Sequence, residues 1–182
     1  IGVAVVHDRQ AIRNYGVWFY ALAQLLDYDK VRPEACAELV ANGGETKLLE
    51  ILTMEAMPLR YRRGPVGTRD GAPPQALYHI LRVLRAVARR GGRGLEKLHA
   101  LNAAEKLANV FDKLVGDLHV TRKMFEVRAI CTCFRFLLAG RSKPAVEARN
   151  KLFAMGMLAK VVDVTLRLTD EEQAHKNETG EM

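Results

Sequence analysis

Apolar residues recur with the period of an α-helix along most of the chain. Between the Pro73-Pro74 pair and the Gly91-Gly92 pair they fall at i, i+3, i+4, i+7, i+10 and i+11, namely at Leu77, Ile80, Leu81, Leu84, Val87 and Ala88. Proline before a helix and glycine after it are usual boundaries. The same period predicts long helices over about 11–28 and 121–139, and no segment alternates convincingly with the period of a strand. The pattern therefore predicts an all-α protein.

Three segments of the chain, 38–52, 97–111 and 151–165, align with one another without a gap. Each has a leucine, then an alanine two residues later, then Gly43, Asn102 or Gly156, followed after four residues by a lysine. Glycine and asparagine are the residues that best tolerate positive φ, which favours the end of a short helix at that point. Each unit is therefore predicted to be a short helix, a sharp turn and a second helix, with one of the long helices before it.

This arrangement resembles the armadillo repeat family, in which a short first helix ends at glycine and a second and a longer third helix follow. The segments 36–44 and 148–158 are most similar to that family's first-to-second helix junction, and the resemblance covers residues 11 to about 169. It implies a right-handed helical solenoid of about three repeats, forming one domain over 1–169. The units are spaced 59 and 54 residues apart, against about 40–47 in such repeats, and a basic insertion at 58–74 accounts for the excess in the first. A non-repeating helical bundle is the alternative.

The composition limits the class of protein. With 182 residues, 49% hydrophobic and 27% charged, the chain can build one domain with a sizeable core. No apolar run approaches the roughly 20 residues of a transmembrane helix. The three cysteines are sparse and odd in number, which argues against a disulfide scaffold. They favour a reducing intracellular compartment, either the cytoplasm, including the cilium, or the mitochondrial matrix.

The sequence offers no catalytic or metal-binding constellation. The five histidines are dispersed, and the G-x-x-x-x-G-K-[ST] phosphate loop is absent. Cys131 and Cys133 fall within a predicted helix, where residues i and i+2 diverge by roughly 200° and cannot share a metal. We therefore expect no catalytic residues, no metal and no cofactor, and interpret the protein as a non-enzyme.

Charge is distributed unevenly along the chain. The segment 170–182 has five acidic residues and one lysine, so its charge of −4 leaves +11 on the remainder of a chain whose total is +7. Polar segments of this kind bury little apolar surface, which predicts a flexible, disordered acidic tail over 170–182. The basic residues concentrate in the insertion and in the helix that follows it.

The long helices supply the candidate binding residues. In armadillo proteins the third helices line the concave wall, and the resemblance implies the same role for the long helices here. On the helix from Leu77 to Arg90, four residues follow a row complementary to the apolar stripe: Tyr78, Arg82, Arg85 and Arg89. Arginine holds carboxylates bidentately, which favours a protein partner with acidic segments within a multi-subunit complex. The predicted partner-binding set is Tyr20, Gln24, Tyr78, Arg82, Arg85 and Arg89, with Arg60, Arg62 and Arg63 from the insertion.

Three interpretations of this basic surface stay open at this point. The leading hypothesis is a non-enzymatic interaction scaffold or structural subunit, and the alternative is an RNA-contacting subunit of a ribonucleoprotein particle. A merely solvated basic face is the third. Peptide-binding family members such as the importin alpha proteins carry tryptophan and asparagine ladders, and the alignment places Tyr20 and Gln24, Arg82 and Ala86, and Cys133 and Leu137 at those positions. Only the first pair approximates a ladder, so binding of nuclear-localisation peptides is not expected.

Overall fold

The computed structural model describes residues 19–26, 33–53, 76–116 and 124–179. These residues form helices joined by short turns, with no strand among them, which confirms the all-α prediction. The helices in chain order are α1 (residues 19–26), α2 (Pro33–Ala41), α3 (Gly44–Thr53), α4 (Ala76–Arg90), α5 (Gly92–Ala100), α6 (Ala103–Val115), α7 (Met124–Leu137), α8 (Lys143–Ala154) and α9 (Met157–Thr179).

Helix α4 lies at the centre of the core. The predicted stripe is buried as a whole, with Leu77, Ile80, Leu81, Leu84, Val87 and Ala88 each at most 7% exposed. The most extensive helix contact joins α4 to α7, where the Cys133 thiol donates to the Leu81 carbonyl at 3.6 Å. Burial of these side chains removes apolar surface from water and is the main force that holds the two helices together.

The predicted turns occur at the positions that the three aligned segments share. Gly43, Asn102 and Gly156 have φ of 69°, 53° and 67°, and each follows a short helix. A Cβ built on Gly43 or Gly156 meets no atom within 4 Å. Glycine is therefore favoured at these two positions by the positive φ itself, not by crowding.

Four pairs of helices at equivalent places in successive units lie side by side. The first helices contact each other in series, α2 with α5 and α5 with α8. The second helices α3 and α6 are in contact, as are the long helices α4 and α7. Each described unit therefore packs on the next through matching elements.

Two equivalent lysines connect successive units. Lys97 on α5 extends back to the first unit, where its Nζ donates to the Val40 carbonyl at 2.6 Å and lies 3.3 Å from Glu45 Oε1. Lys151 on α8 occupies the equivalent place and donates to Asn102 Oδ1 at 2.9 Å. Both lysines contact the turn region of the preceding unit.

One prediction concerns the carboxyl end. A flexible, disordered acidic tail was expected over 170–182, and in the structure α9 continues through Thr179. Helix propagation adds one hydrogen bond per residue once a turn exists, and the glutamates, Gln173 and Ala174 have good helix propensity. The flexibility of this segment stays a prediction, and the insertion at 58–74 lies outside the described residues.

Candidate interaction surface

The basic row of α4 lies opposite the buried stripe. Tyr78, Arg82 and Arg85 are half-buried and Arg89 is exposed. The stripe and the row diverge because the helical period assigns them to different sides of one helix. The structure therefore brings these four sequence-predicted residues together on one side of α4.

Aromatic contacts join α4 to its two neighbours. The Tyr20 ring of α1 lies 5.1 Å from the ring of the buried His79, in an edge arrangement. On the other side, the Tyr78 and Phe125 ring centroids are 6.1 Å apart, which connects α4 to α7. Edge contacts of this kind are favoured by the ring quadrupoles. Tyr20, Tyr78 and Phe125 thus mark adjacent parts of one surface, and the second α1 candidate, Gln24, is exposed on the same helix.

The positive charge of Arg82 influences two neighbouring rings. Its guanidinium carbon lies 5.8 Å from the Tyr78 ring centroid, within the range of a cation–π interaction. Burial lowers the pKa of His79, and the nearby Arg82 charge lowers that pKa further. The imidazole is therefore held toward its neutral form beneath the arginine row.

Helix α7 contributes residues that the sequence-based set omitted. Phe125, Arg128 and Arg135 are all exposed, and Phe125 keeps 60% of its surface accessible. The ladder alignment pointed instead to Cys133 and Leu137, which are buried. Neither side chain of that pair is therefore exposed on α7, whereas the complement of the predicted apolar row on 121–139 would have given Arg128 and Arg135.

We define the α1–α4–α7 face as the set Tyr20, Gln24, Tyr78, Arg82, Arg85, Arg89, Phe125, Arg128 and Arg135. Within the described parts of these three helices the acidic residue is Glu126, and it is buried. The exposed charges of the face are therefore guanidinium groups set among aromatic rings. The remaining predicted contacts, Arg60, Arg62 and Arg63, lie outside the described residues.

Other features of the described residues are a buried thiol and a small cleft. No group of histidine, cysteine or acidic side chains among them could hold a metal ion. Burial raises the pKa of Cys133 to about 12, against the smaller opposing effect of Arg85, so this thiol is held protonated and unreactive. A cleft lined by His99, Glu105 and Lys151 has a volume of about 50 Å³, far below the roughly 300–1,000 Å³ of ligand pockets.

A search of the described helices for one long and apolar enough to cross a membrane found none. Comparisons of the chain with protein-family models, with curated proteins and with solved structures gave no match.

Proposed function

We propose that this protein is a non-enzymatic interaction scaffold, an armadillo-like right-handed solenoid of about three repeats within a larger intracellular assembly. It binds an acidic segment of a protein partner through the α1–α4–α7 face, assisted by the insertion at 58–74. The observation that carries this proposal is the collection of arginines and aromatic rings on three neighbouring helices.

The repeat interpretation is supported by three independent features of the described units. Positive φ recurs at Gly43, Asn102 and Gly156, and equivalent helices are neighbours. Lys97 and Lys151, at equivalent positions, each donate a hydrogen bond near the turn of the preceding unit. A non-repeating bundle has no reason to reproduce all three features, whereas stacked units that contact only their neighbours do so as a consequence of their construction.

The chemistry of the face suits an acidic, partly apolar peptide. Arginine forms bidentate hydrogen bonds with carboxylates and keeps its charge at any working pH. Exposed aromatic rings such as Phe125 and Tyr20 supply the large contact area that anchors many protein interfaces. The free thiols of Cys36, Cys131 and Cys133 support a reducing compartment, in the cytoplasm, including the cilium, or in the mitochondrial matrix.

The proposal is tested by affinity capture from a lysate of the source cells, followed by cross-linking and mass spectrometry. Arg82→Glu combined with Arg85→Glu should weaken capture of the partner at least about tenfold, because two attractive charges become repulsive. The matched control is Arg141→Glu with Lys143→Glu, which makes the same charge change at two exposed positions outside the face. Circular dichroism should show unchanged helix content in both variants.

The capture results distinguish the α1–α4–α7 face from the insertion at 58–74 as the binding surface. Equal capture by the two double variants would contradict the assignment to the α1–α4–α7 face and move the interface to the insertion, where Arg60, Arg62 and Arg63 become the next variants. Recovery of no cross-linked protein partner from the wild-type chain would overturn the scaffold itself.

An RNA-contacting subunit is the second candidate. The observation in its favour is the combination of exposed Phe125 with Arg128 and Arg135 on α7, because single-stranded RNA is held by basic grooves with aromatic stacking platforms. Filter binding of single-stranded RNA measures this directly. Affinity should fall steeply between about 50 and 200 mM salt if several phosphates are neutralised, and no binding at the lower salt would exclude the candidate.

A further inference from the structure

A carboxylate is buried between the first and second units. Glu45, in the first turn of α3, is 1% exposed, and among the described residues neither of its carboxylate oxygens has a hydrogen-bond partner. Its ion-pair partner is Lys97 of α5, whose Nζ lies 3.3 Å from Oε1. Taking two charges out of water costs free energy, which their attraction offsets only when further hydrogen bonds satisfy the charged groups. A gain in stability therefore does not explain why this pair is buried.

The equivalent place in the second unit holds an apolar residue. Counted from the positive-φ residue, Glu45 corresponds to Ala104, which is buried and lines the same cleft as Ala148 of α8. In this second joint the carboxylate that meets the lysine belongs to Glu105, and Lys151 and Glu105 are both about half exposed. Packing of one unit on the next is thus compatible with an apolar residue at this place, and it does not require a glutamate.

Lys97 connects the ends of two helices in the first unit. Its Nζ donates to the Val40 carbonyl near the end of α2 at 2.6 Å and meets Glu45 at the start of α3. Apolar contacts between helices are non-directional, so a slide of α5 by one turn would replace them with similar contacts. The same slide moves the Lys97 backbone by about 5.4 Å and separates Nζ from both acceptors. Because a buried charge without its partner is strongly disfavoured, Glu45 penalises the shifted register.

The packing of α5 on the first unit determines where α4 lies. Gly91 alone separates the end of α4 at Arg90 from the start of α5 at Gly92, and α4 also contacts α2 and α3. A shift of α5 along the first unit would therefore displace α4, which carries the basic row of the α1–α4–α7 face.

We propose that the Glu45–Lys97 pair fixes the register in which α5 packs on α2 and α3, and that it thereby positions α4. The two side chains are positioning residues that favour one arrangement of the units without adding to stability. A single buried asparagine has the same effect on register in coiled coils, also at a cost in stability. This role is independent of the ligand of the α1–α4–α7 face, so it and the proposed function can fail separately.

Replacing both charges by apolar residues separates register from stability. The urea midpoint of the Glu45→Leu, Lys97→Met variant should equal or exceed that of the wild-type chain, since apolar residues of similar volume often replace a buried ion pair without loss. The Tyr20 ring lies 5.1 Å from the ring of His79 on α4, so the imidazole proton resonances of His79 report the position of α4. The wild-type chain should give one set of these resonances, whereas the variant should give two sets or exchange-broadened signals.

Two control variants isolate the buried pair. Glu105→Leu with Lys151→Met makes the same changes at the half-exposed pair between the second and third units, and it should keep one set of His79 resonances. Glu45→Gln keeps a group that can accept a hydrogen bond from Lys97 and should also keep one set. A single, unshifted set in the Glu45→Leu, Lys97→Met variant would overturn the proposal. Failure of that variant to fold, or a midpoint as low as that of Lys97→Met alone, would overturn it too, because the pair would then be a stabilising contact only.

Discussion

Gly43 and Gly156 each adopt a backbone conformation that most residues avoid. Their φ values of 69° and 67° lie in the left-handed region, while the space around them is open. Substitution by valine should therefore cost about 1–3 kcal/mol of unfolding free energy through backbone strain alone. Urea denaturation followed by circular dichroism measures this cost for Gly43→Val and Gly156→Val.

The control for the glycine prediction is Ala159→Val, at an exposed position of α9 where φ is helical. Valine there should cost only about 0.5 kcal/mol from helix propensity. If both glycine variants lose no more than this control, the shared turn has no energetic role and the alignment of the three segments loses its physical basis.

Protonation of His79 makes the free energy of unfolding depend on pH, and the direction of this dependence follows from its lowered pKa. Burial and the Arg82 charge hold its folded-state pKa below the ordinary 6.5, so the unfolded chain binds the proton more readily. Stability therefore falls as pH drops below about 6.5, and the loss is complete once the pH is below the folded-state pKa. His99 shifts in the same direction through burial.

Thermal melting between about pH 8 and 5 tests the contribution of His79, since a His residue ordinarily titrates in this interval. His79→Phe keeps an aromatic ring beside Tyr20 and Tyr78 but removes the ionisable group, so the midpoint of this variant should fall less on acidification than that of the wild-type chain. An equal fall in both proteins would contradict the prediction and leave other groups responsible.

At the level of the helices, Lys97 and Lys151 each connect their unit to the preceding one. The carboxylate that pairs with Lys97 is buried, and the carboxylate that pairs with Lys151 is not. The carboxylate of Glu45 is 1% exposed, and Lys97 is one-third exposed, whereas Lys151 and Glu105 are both about half exposed. Removing Lys97 leaves a buried charge without its partner. Lys97→Met should therefore cost about 2 kcal/mol of unfolding free energy, and Lys151→Met about 0–1 kcal/mol, as for exposed ion pairs.

Urea titration of the two variants tests the difference between these connections. In a Glu45→Gln background the buried charge is absent, so Lys97→Met should cost less than it does in the wild-type chain. Equal losses for Lys97→Met and Lys151→Met would show that the hydrogen bonds to the preceding turn, and not the burial of Glu45, determine the energy.

The sequence predicted some helix features well because one local period determines them. The buried stripe and basic row of α4 both follow from 3.6-residue spacing, and the turn at Gly43 follows from the residues that accept positive φ. The exposed residues of α7 were missed because the relative register of two long helices depends on how they pack, and the Tyr78–Phe125 contact joins residues 47 positions apart. The helix at 170–179 was not predicted because the composition of a segment shows how polar it is. It does not show whether a helix that has already formed continues into that segment.

At the scale of the whole molecule, the α1–α4–α7 face and the exposed side of α8 and α9 differ in chemistry. The α1–α4–α7 face presents guanidinium groups and aromatic rings, while the exposed side of α8 and α9 presents Phe153, Leu158, Val162 and Leu166. The sequence could indicate the first surface, because a charged row is visible along one helix. The second required the structure, since the exposed fractions of its side chains depend on how α8 and α9 pack against the other helices.

The last prediction concerns the acidic segment 170–182, whose charge is opposite to that of the rest of the chain. Its net charge is −4 and that of the remainder is +11, so we expect it to compete with any acidic ligand for the α1–α4–α7 face. Deleting 170–182 should leave partner capture equal or stronger, with the largest gain at low ionic strength, because screening shortens charge interactions to about 10 Å at 0.1 M salt. Capture is measured at two salt concentrations, with a segment of reduced charge (Asp170→Asn, Glu171→Gln and Glu172→Gln) as a control that preserves chain length. Weaker capture by both variants would mean that these carboxylates contribute to binding, and weaker capture by the deletion alone would assign that contribution to the helical end of α9 itself.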